Sequence, residues 1–231
     1  MCNHYSGDPE GLAEFIRLSA PWIHIPAAFC EAPAHMYPKR QGRVIRKKGG
    51  EAELMLMRWG VWPFYQKEKP QFITNARSDG LLTKAIWKQS ARHRRCLVPA
   101  TGYFEPGLGP VGRRGEVLFK VKARAHFYIA GLWDNDPNET GECGYTLVTT
   151  EPNEYVRPFH DRMPVVLSDA DALEWLGEEP LADARLAELC HGLPAEALLH
   201  EEIAAKPPER LTIKRPAKKP PPQGPEQPSL F

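Results

Sequence analysis

Residues 127–133 (FYIAGLW) and 144–150 (GYTLVTT) are the two stretches that decide the fold predicted for this chain of 231 residues. Both are apolar runs rich in aromatic and β-branched residues, a composition typical of buried strands. Further strands are predicted at residues 53–59, 117–121 and 163–167. Helices are predicted at residues 9–16, 81–91 and 194–205 and after Ser168, and strands and helices do not alternate regularly. This order predicts an α+β fold with a mostly antiparallel, barrel-like β-sheet and flanking helices.

The composition is that of an ordinary globular protein, with 42% hydrophobic and 26% charged residues and a net charge of +1. No apolar run approaches the roughly 18 residues of a membrane-spanning helix, and no signal sequence begins the chain. We therefore expect a cytoplasmic monomer that has no membrane partner. The five cysteines show no CxxC spacing, which argues against a disulfide framework and a zinc site. We predict no metal and no cofactor.

The composition changes near residue 206, which divides the chain into a predicted domain at residues 1–205 and a disordered tail at 206–231. Residues 207–231 contain eight prolines and several basic residues. The tail ends in QPSLF, which resembles the peptide that docks on the bacterial sliding clamp. In that resemblance Gln227 fixes the register, while Leu230 and Phe231 fill an apolar pocket. A chance match of five residues is the alternative.

The charges are segregated along the chain. Between Lys39 and Arg124 there are 20 Lys and Arg residues against 6 Asp and Glu residues, whereas residues 169–202 carry ten acidic residues and one basic residue. A basic middle predicts a face that binds a polyanion such as nucleic acid. The alternative is that these charges lie on ordinary solvated faces.

Cys2 is the first candidate for chemistry. Bacterial-type processing commonly removes Met1 ahead of a small residue, which would leave Cys2 with a free α-amine and a thiol on adjacent carbons. The usual pKa values, about 8 for the amine and about 8.5 for the thiol, leave both partly nucleophilic at neutral pH. Such a pair converts an aldehyde into an imine and then into a five-membered thiazolidine. The alternative is that Cys2 belongs to a frayed terminus.

Three later stretches carry further candidates. In Asn75-Ala76-Arg77, the amide could hold a reacting oxygen and the guanidinium could pair with a phosphate. Glu105 lies beside aromatic residues, where desolvation would raise its pKa and suit it to acid–base catalysis. His160 precedes an apolar strand. The alternative for Asn75-Ala76-Arg77 is a helix cap with a surface arginine. The alternatives for Glu105 and His160 are an ordinary rim carboxylate and a structural histidine.

Together these stretches resemble the SOS-response-associated peptidase family, also called the abasic-site processing proteins. The resemblance runs from Cys2 to about Trp175. Its motifs are Met57-Arg58-Trp59-Gly60, Asn75-Ala76-Arg77, Arg94 to Ala100 (RRCLVPA), Gly102-Tyr103-Phe104-Glu105, Ala130-Gly131-Leu132-Trp133, Thr149-Thr150 and His160-x-Arg162-Met163-Pro164. The resemblance implies a β-rich α+β fold. It also implies that an N-terminal cysteine forms a thiazolidine with the ring-opened aldehyde of an abasic site in single-stranded DNA.

The resemblance implies a catalytic set of Cys2, Asn75, Glu105 and His160, and a phosphate contact at Arg77. The predicted DNA-binding residues are His4, Trp59, Arg77 and Arg162. Trp59, Trp62 and Phe64 could offer surfaces on which bases stack, and the alternative for each is core packing. The chain departs from the family pattern at Asn3-His4, where Gly-Arg is usual, at Pro106, where Trp is usual, and at residues 35–38. These departures predict a divergent paralogue that retains the chemistry.

The sequence thus predicts a DNA-damage protein, active near the replication fork, that shields abasic sites in single-stranded DNA. The Cys2 amine would attack C1′ of the open sugar and Glu105 would shuttle protons. His160 would protonate the ring-opening oxygen and Asn75 would orient the aldehyde or the amine. This main prediction combines thiol peptidase (hydrolase) and lyase-like chemistry at the N-terminal Cys. Two alternatives stay open. One is a thiol peptidase or autopeptidase that uses the same residue. The other is a non-catalytic adaptor that binds DNA and the clamp.

Overall fold

The computed structural model describes residues 2–23, 25–26, 33–63, 72–108, 114–135 and 143–204. The strands are β1 (His4–Ser6), β2 (His35–Met36), β3 (Gln41–Lys48), β4 (Glu51–Trp59), β5 (Asn75–Arg77), β6 (Arg95–Ala100), β7 (Gly102–Leu108), β8 (Arg114–Val121), β9 (Phe127–Asn135), β10 (Cys143–Thr150), β11 (Met163–Pro164), β12 (Val166–Leu167) and β13 (Leu198–Ala204). The helices are α1 (Pro9–Ser19), α2 (Ala85–His93), α3 (Asp169–Trp175) and α4 (Asp183–Leu189). The predicted tail, with Gln227, Leu230 and Phe231, lies outside the described residues.

Eight strands form the larger sheet. Its order is β11-β10-β4-β3-β6-β9-β12, and β5 pairs with β10 off this path. The sheet curls until β10 pairs with β4 on one side and with β9 on the other. The pairings of β10 with β4 and with β5 are parallel, and the remaining pairings described in this sheet are antiparallel. The predicted α+β class with a mostly antiparallel, barrel-like sheet is confirmed.

The smaller sheet brings the N-terminal segment to the middle of the molecule. Its five strands have the order β13-β8-β7-β1-β2. β1 pairs antiparallel with β7, so that Tyr5 lies opposite Tyr103 and His4 lies opposite Phe104. Cys2 is therefore held two residues before β1, an interior strand of this sheet. The same pairing sets Cys2 beside the strand that carries Glu105.

The predicted helix at residues 194–205 is wrong. After a 3₁₀ turn at Ala195–Ala197, residues 198–204 form β13, which pairs antiparallel with β8 from Leu198 opposite Val121 to Ala204 opposite Gly115. The Ala, Leu and Glu content of this segment favours a helix. The backbone groups along β8 need partners, however, and the ladder that β13 supplies outweighs local helix propensity.

The other helices form largely where the sequence predicts them. The carboxylate of Asp8 caps α1 by accepting a hydrogen bond from the Gly11 amide at 2.7 Å, and Pro9 occupies the first helical position. The Ser168 hydroxyl caps α3 by accepting from the Asp171 amide at 3.1 Å. α2 begins at Ala85 rather than near residue 81, because a 3₁₀ turn and a further turn precede it.

The apolar interior has two parts. One part lies under α1, α2 and α3, and Leu12, Ile16 and Trp175 are fully buried in it. The second part lies where the two sheets meet, and it contains Cys2 and Tyr103. The predicted nucleophile is therefore a core residue. None of the helices in the described ranges is long and apolar enough to cross a membrane.

Candidate active site

The Cys2 side chain is enclosed by the protein, with only 1% of the residue exposed. Its thiol faces the carbonyl oxygen of His4, with Sγ 3.6 Å from that oxygen. Burial raises the pKa of the thiol well above its ordinary value, and the neighbouring Glu105 charge raises it further. In this conformation Cys2 is therefore a protonated thiol at neutral pH. Backbone hydrogen bonds at His4 and Phe104 lower the pKa without offsetting burial, so the thiol needs a base before it can act as a nucleophile.

Asn75 holds Cys2 by its backbone. β5 lies parallel to β10, with Asn75 opposite Leu147, and this pairing points the Asn75 amide at the N-terminal segment. Its Nδ2 donates to the Cys2 carbonyl oxygen at 2.9 Å, across 73 positions of sequence, and to the Thr74 hydroxyl at 3.1 Å. Oδ1 of the same amide is buried and has no hydrogen-bond partner within the described part of the chain. Asn75 thus positions Cys2 and leaves one acceptor unused.

Glu105 is a buried carboxyl group. The residue is 1% exposed, and neither carboxyl oxygen has a hydrogen-bond partner among the residues that the structure describes. Burial raises the pKa of Glu105 to about 8, and the charges of Asp161 and Glu116 act in the same direction while the N-terminal charge opposes them. The group is therefore mostly a neutral acid at pH 7, with a pKa close to the value that suits proton transfer at physiological pH.

His160 faces Glu105 across a short gap. Nε2 of His160 lies 3.9 Å from Oε2 of Glu105, a distance too long for a hydrogen bond. On the other side of the ring, Nδ1 accepts the Arg162 backbone amide at 2.9 Å and also lies 2.9 Å from the exposed Asp161 carboxylate. The hydrogen bond from the amide leaves the proton of the neutral ring on Nε2. Burial lowers the pKa of His160, and therefore favours this neutral form. A reacting oxygen between the two groups would meet an N–H donor and a carboxyl group.

A tight turn presents His160, and the sequence reasoning missed the residue that builds it. The Asn153 side chain accepts from the backbone amides of Tyr155 and Val156 and donates to the Leu193 carbonyl at 2.7 Å. The backbone amide of His160 in turn donates to the Val156 carbonyl at 3.1 Å. The detectable signal was an asparagine at the start of a loop, where its side chain commonly caps a turn.

A polar cavity of about 460 Å³ opens beside His160. Its lining residues include Arg77, Arg157, His160 and Arg162. The Arg77 side chain is 53% exposed and makes a two-point contact with Asp79, with both distances 3.2 Å. Arg162 is buried and donates to the Thr149 carbonyl at 2.6 Å. Arg77 is therefore the accessible cation of the predicted pair, while the guanidinium of Arg162 already holds the backbone.

The structure contradicts the DNA-stacking role predicted for Trp59. The residue is 0% exposed, and its indole N–H donates to the Thr74 carbonyl at 2.9 Å. A base cannot reach a ring that is fully enclosed. Trp59 instead packs edge-on against Tyr5, with ring centroids 5.1 Å apart. Trp62, the second predicted platform, is half-buried against Phe72, and Phe64 lies outside the described residues.

The structure also gives His4 a different role from the predicted DNA contact. The residue is 6% exposed, and its ring is stacked on two aromatic rings, with its centroid 3.7 Å from that of Phe104 and 4.4 Å from that of Tyr37. Both ring nitrogens have partners, because Nδ1 lies 2.9 Å from Glu116 and Nε2 lies 2.8 Å from His35. Burial lowers the pKa of His4, which disfavours a cation. His4 therefore fastens β1 to its neighbours and is not available to a phosphate.

The four predicted catalytic residues come from four separate segments and meet at the junction of the two sheets. Asn75 holds Cys2, the charge of Glu105 acts on the Cys2 thiol, and His160 lies 3.9 Å from Glu105. The arrangement contains a thiol, an amide, a carboxyl group with a raised pKa and a neutral imidazole. It can therefore position an N-terminal residue and move protons around it.

Comparison with known proteins links this arrangement to one family. The profile of the SOS response associated peptidase (SRAP) family matches residues 1–206. Abasic site processing protein YoaM of Bacillus subtilis is 30% identical over 164 residues, which cover 69% of this chain and 71% of YoaM. Abasic site processing protein HMCES of Gallus gallus is 32% identical over 163 residues, which cover 58% of this chain and 48% of HMCES. A crystal structure of a Bordetella bronchiseptica protein is 25% identical with a TM-score of 0.72, covering 88% of this chain and all of that one.

Proposed function

Because this chain belongs to the SOS response associated peptidase family, we propose that it processes abasic sites in DNA and captures them covalently at Cys2. The names of relatives such as YoaM and HMCES support abasic sites as the substrate. The observation that carries the covalent mechanism is the position of Cys2, whose carbonyl is held at 2.9 Å by Asn75 beside a carboxyl group with a pKa of about 8. Removal of Met1 supplies the free amine that the mechanism requires.

The first step is imine formation. The abasic sugar exists as a closed ring in equilibrium with an aldehyde. As the bond from C1′ to the ring oxygen breaks, the Nε2–H of His160 is suited to protonate that oxygen, and the imidazole regains a proton from the C1′ hydroxyl group as the aldehyde forms. The Cys2 amine then attacks C1′ and forms a carbinolamine. Glu105, as a neutral acid, protonates the carbinolamine hydroxyl group, which leaves as water. The nitrogen lone pair then forms the C=N bond, and the proton of Glu105 is consumed in this step.

The second step closes the ring. The Glu105 carboxylate left by the first step accepts the proton of the Cys2 thiol, and the sulfur forms a bond to C1′. The C=N electron pair returns to the nitrogen, so that the product is a neutral thiazolidine and Glu105 is a neutral acid again. Asn75 keeps the Cys2 backbone still through both steps, which lowers the entropy cost of closing a five-membered ring.

The DNA strand enters, in this proposal, along the cavity that Arg77 and His160 line. Arg77 is exposed and supplies a guanidinium that can pair with a phosphate oxygen. The basic middle of the chain, with 20 Lys and Arg residues between positions 39 and 124, extends the attraction for a polyanion. A single strand fits this proposal because its sugar can reach the buried thiol without unpairing.

Intact-mass measurement with an abasic single-stranded oligonucleotide tests the proposal. We expect the protein without Met1 to gain the mass of the oligonucleotide less one water, and the adduct to survive denaturation. Cys2→Ala should form none, Cys2→Ser should form at most a weak imine, and Cys143→Ala, which alters a half-buried free thiol, should react normally. An oligonucleotide whose abasic aldehyde has been reduced is the substrate control. Absence of the adduct in the wild type would refute covalent capture.

His160→Ala tests the acid beside the cavity. The variant should slow formation or reversal of the adduct, because it removes the Nε2–H donor that lies 3.9 Å from Glu105. Affinity for a reduced abasic oligonucleotide, which binds without reacting, should stay close to that of the wild type. Equal rates of adduct formation and reversal in the two proteins would make His160 a structural residue.

The thiol peptidase alternative has less support at this site. Cysteine peptidases use a thiolate paired with a histidine. Burial keeps the pKa of Cys2 well above its ordinary value, and within the described ranges the hydrogen bond of its thiol goes to a backbone carbonyl. Peptide hydrolysis by the protein without Met1, lost in Cys2→Ala, would restore this alternative.

We propose a second, sequence-based role for the tail. Gln227, Leu230 and Phe231 would dock on a bacterial sliding clamp, and the preceding Pro-rich segment would keep the domain near exposed template strands by raising its effective concentration. A pentapeptide of this kind is expected to bind with a Kd on the order of micromolar. The role is independent of the chemistry at Cys2.

A further inference from the structure

We propose that Tyr103 is a further catalytic residue, whose phenolic O–H donates a hydrogen bond to the Cys2 sulfur as the thiol loses its proton. The inference rests on the function proposed above and adds a donor to the acid–base pair of Glu105 and His160. It concerns the second chemical step, in which the sulfur closes the thiazolidine.

The strand register places the Tyr103 side chain on the same face of β7 as Glu105. Tyr103 and Glu105 are two residues apart on β7, and side chains two apart on a strand lie on the same face. Tyr103 lies opposite Tyr5 on β1 and opposite Phe119 on β8. It belongs to the same buried cluster as Cys2. The phenol therefore shares the junction between the sheets with the thiol and the carboxyl group.

The Tyr103 hydroxyl group has no partner within the described part of the chain, although the residue is 0% exposed. The hydroxyl group of Tyr5, its cross-strand neighbour, is by contrast 2.6 Å from that of Tyr145. A buried hydroxyl group without a hydrogen bond destabilises a folded protein, and phenylalanine would fill the same space without that penalty. A tyrosine at this position is therefore poorly explained by packing and better explained by chemistry.

The pKa of Tyr103 depends on Cys2 and Glu105, the two groups that the reaction uses. Burial raises the pKa of Tyr103 well above its ordinary value, and the charges of Cys2 and Glu105 raise it further, in that order. The phenol therefore keeps its proton throughout the working pH range and can donate a hydrogen bond. A negative charge that forms on the Cys2 sulfur would turn this idle donor into a charge-assisted hydrogen bond.

The ring of Tyr103 is held in place. It is stacked on Phe119, with centroids 5.1 Å apart and an angle of 13° between the planes. Phe119 in turn meets the edge of Phe159, which directly precedes His160, with centroids 5.4 Å apart. A donor on a fixed ring costs little reorganisation when the charge appears, which is the condition for effective electrostatic stabilisation.

The step that Tyr103 assists is balanced without an external reagent. The S–H bond of Cys2 breaks and its proton goes to the Glu105 carboxylate. The sulfur lone pair forms the bond to the imine carbon, and the C=N electron pair moves to the nitrogen. Tyr103 keeps its own proton and donates only a hydrogen bond to the sulfur while that atom carries negative charge.

Tyr103→Phe, with Tyr5→Phe as the matched control, tests the inference in the complete protein. The first measurement needs no DNA: alkylation of Cys2 by iodoacetamide is followed across pH by peptide mass mapping. We expect Tyr103→Phe to shift the midpoint of alkylation upward by about one pH unit, the effect of losing one hydrogen bond to an anion. Tyr5→Phe should leave the midpoint unchanged. Its Tm should fall because Tyr145 loses a partner, whereas the Tm of Tyr103→Phe should stay level or rise.

The second measurement uses the abasic oligonucleotide. In Tyr103→Phe the denaturation-resistant adduct should form about tenfold more slowly, while the imine trapped by borohydride should form at the wild-type rate. An unchanged midpoint with an unchanged adduct rate, or a clear loss of Tm in Tyr103→Phe, would overturn the role of Tyr103. If the wild type forms no adduct but the midpoint still shifts, the proposed function fails and the proposed hydrogen bond from Tyr103 to the thiolate stands.

Discussion

The Glu105→Gln variant should gain stability over the wild type as the pH rises, so that the difference in unfolding free energy between the two proteins is larger at pH 8 than at pH 5. Below pH 4.5, the ordinary pKa of the carboxyl group, it is protonated in both folded and unfolded chains. As the pH rises from 4.5 to about 8, the unfolded chain releases this proton while the folded chain keeps it. The wild type therefore loses stability over this window, and a glutamine, which cannot titrate, removes the loss.

The magnitude follows from the two pKa values. The pKa of Glu105 is 4.5 in the unfolded chain and about 8 in the folded chain. The wild type therefore loses about 3.5 kcal/mol of unfolding free energy between pH 5 and pH 8, whereas the variant does not. For a chain of this size the gap in Tm between the two proteins should widen by roughly 7–14 °C over that range. Any change in unfolding free energy that the new amide causes by its own contacts is independent of pH, and it cancels when the two pH values are compared.

Urea unfolding at several pH values between 5 and 8 measures the effect in proteins with identical N-termini. Glu201→Gln, which alters an exposed carboxylate on β13, is the matched control. Its plot of unfolding free energy against pH should differ from that of the wild type much less than the plot for Glu105→Gln does. Adduct formation by Glu105→Gln should also be slower by roughly 10²–10⁴, the usual range for a positioned acid or base. Parallel curves of stability against pH for the wild type and Glu105→Gln would refute the assignment of a buried, protonated carboxyl group.

Three further predictions concern DNA, the nucleophile and the tail. Arg77→Glu should weaken non-covalent binding of single-stranded DNA and reduce its salt dependence, while Arg17→Glu, which reverses the charge of an exposed arginine on α1, should not; equal losses would remove the basic cavity as the entry site. Asn75→Ala should slow adduct formation at least tenfold without preventing DNA binding, since it frees the Cys2 backbone; a wild-type rate would make this hydrogen bond irrelevant. A peptide of the last residues should bind the clamp with micromolar Kd and lose binding when Leu230 and Phe231 become Ala; no binding at several hundred micromolar would leave the tail without this role.

Part of the larger sheet could be predicted from the sequence, because β9 and β10 are long and apolar, whereas β3, β5 and β6 of the same sheet are not among the predicted strands. In β9 and β10 nearly every residue is buried, so composition alone identifies them. β13 could not be predicted, because its seven residues favour a helix until β8 provides a ladder. The stacking role predicted for Trp59 is wrong for a related reason. An aromatic residue in a strand can face either side, and only the register shows that this ring points into the core.

The chemistry of the site could be predicted in kind but not in geometry. The residue types of Cys2, Asn75 and Glu105 indicate a nucleophile, a positioning amide and an acid. The sequence gives no sign that the amide of Asn75 binds the backbone of Cys2 rather than a substrate, because the two residues are 73 positions apart. The same holds for His4, whose sandwich between aromatic rings depends on β1 pairing with β7 and β2.

The anchoring of His4 limits how far the nucleophile can reach. Cys2 is two residues from a ring that is clamped between Phe104 and Tyr37. An extended chain covers at most about 3.6 Å per residue, so the Cys2 backbone cannot move more than roughly 7 Å from that clamp. In the proposed mechanism a sugar would therefore have to swing out of its strand to reach the thiol. That movement costs paired and stacked nucleotides a few kcal/mol and costs unpaired ones less. In that mechanism the clamped His4 ring would select for unpaired DNA without any base being read.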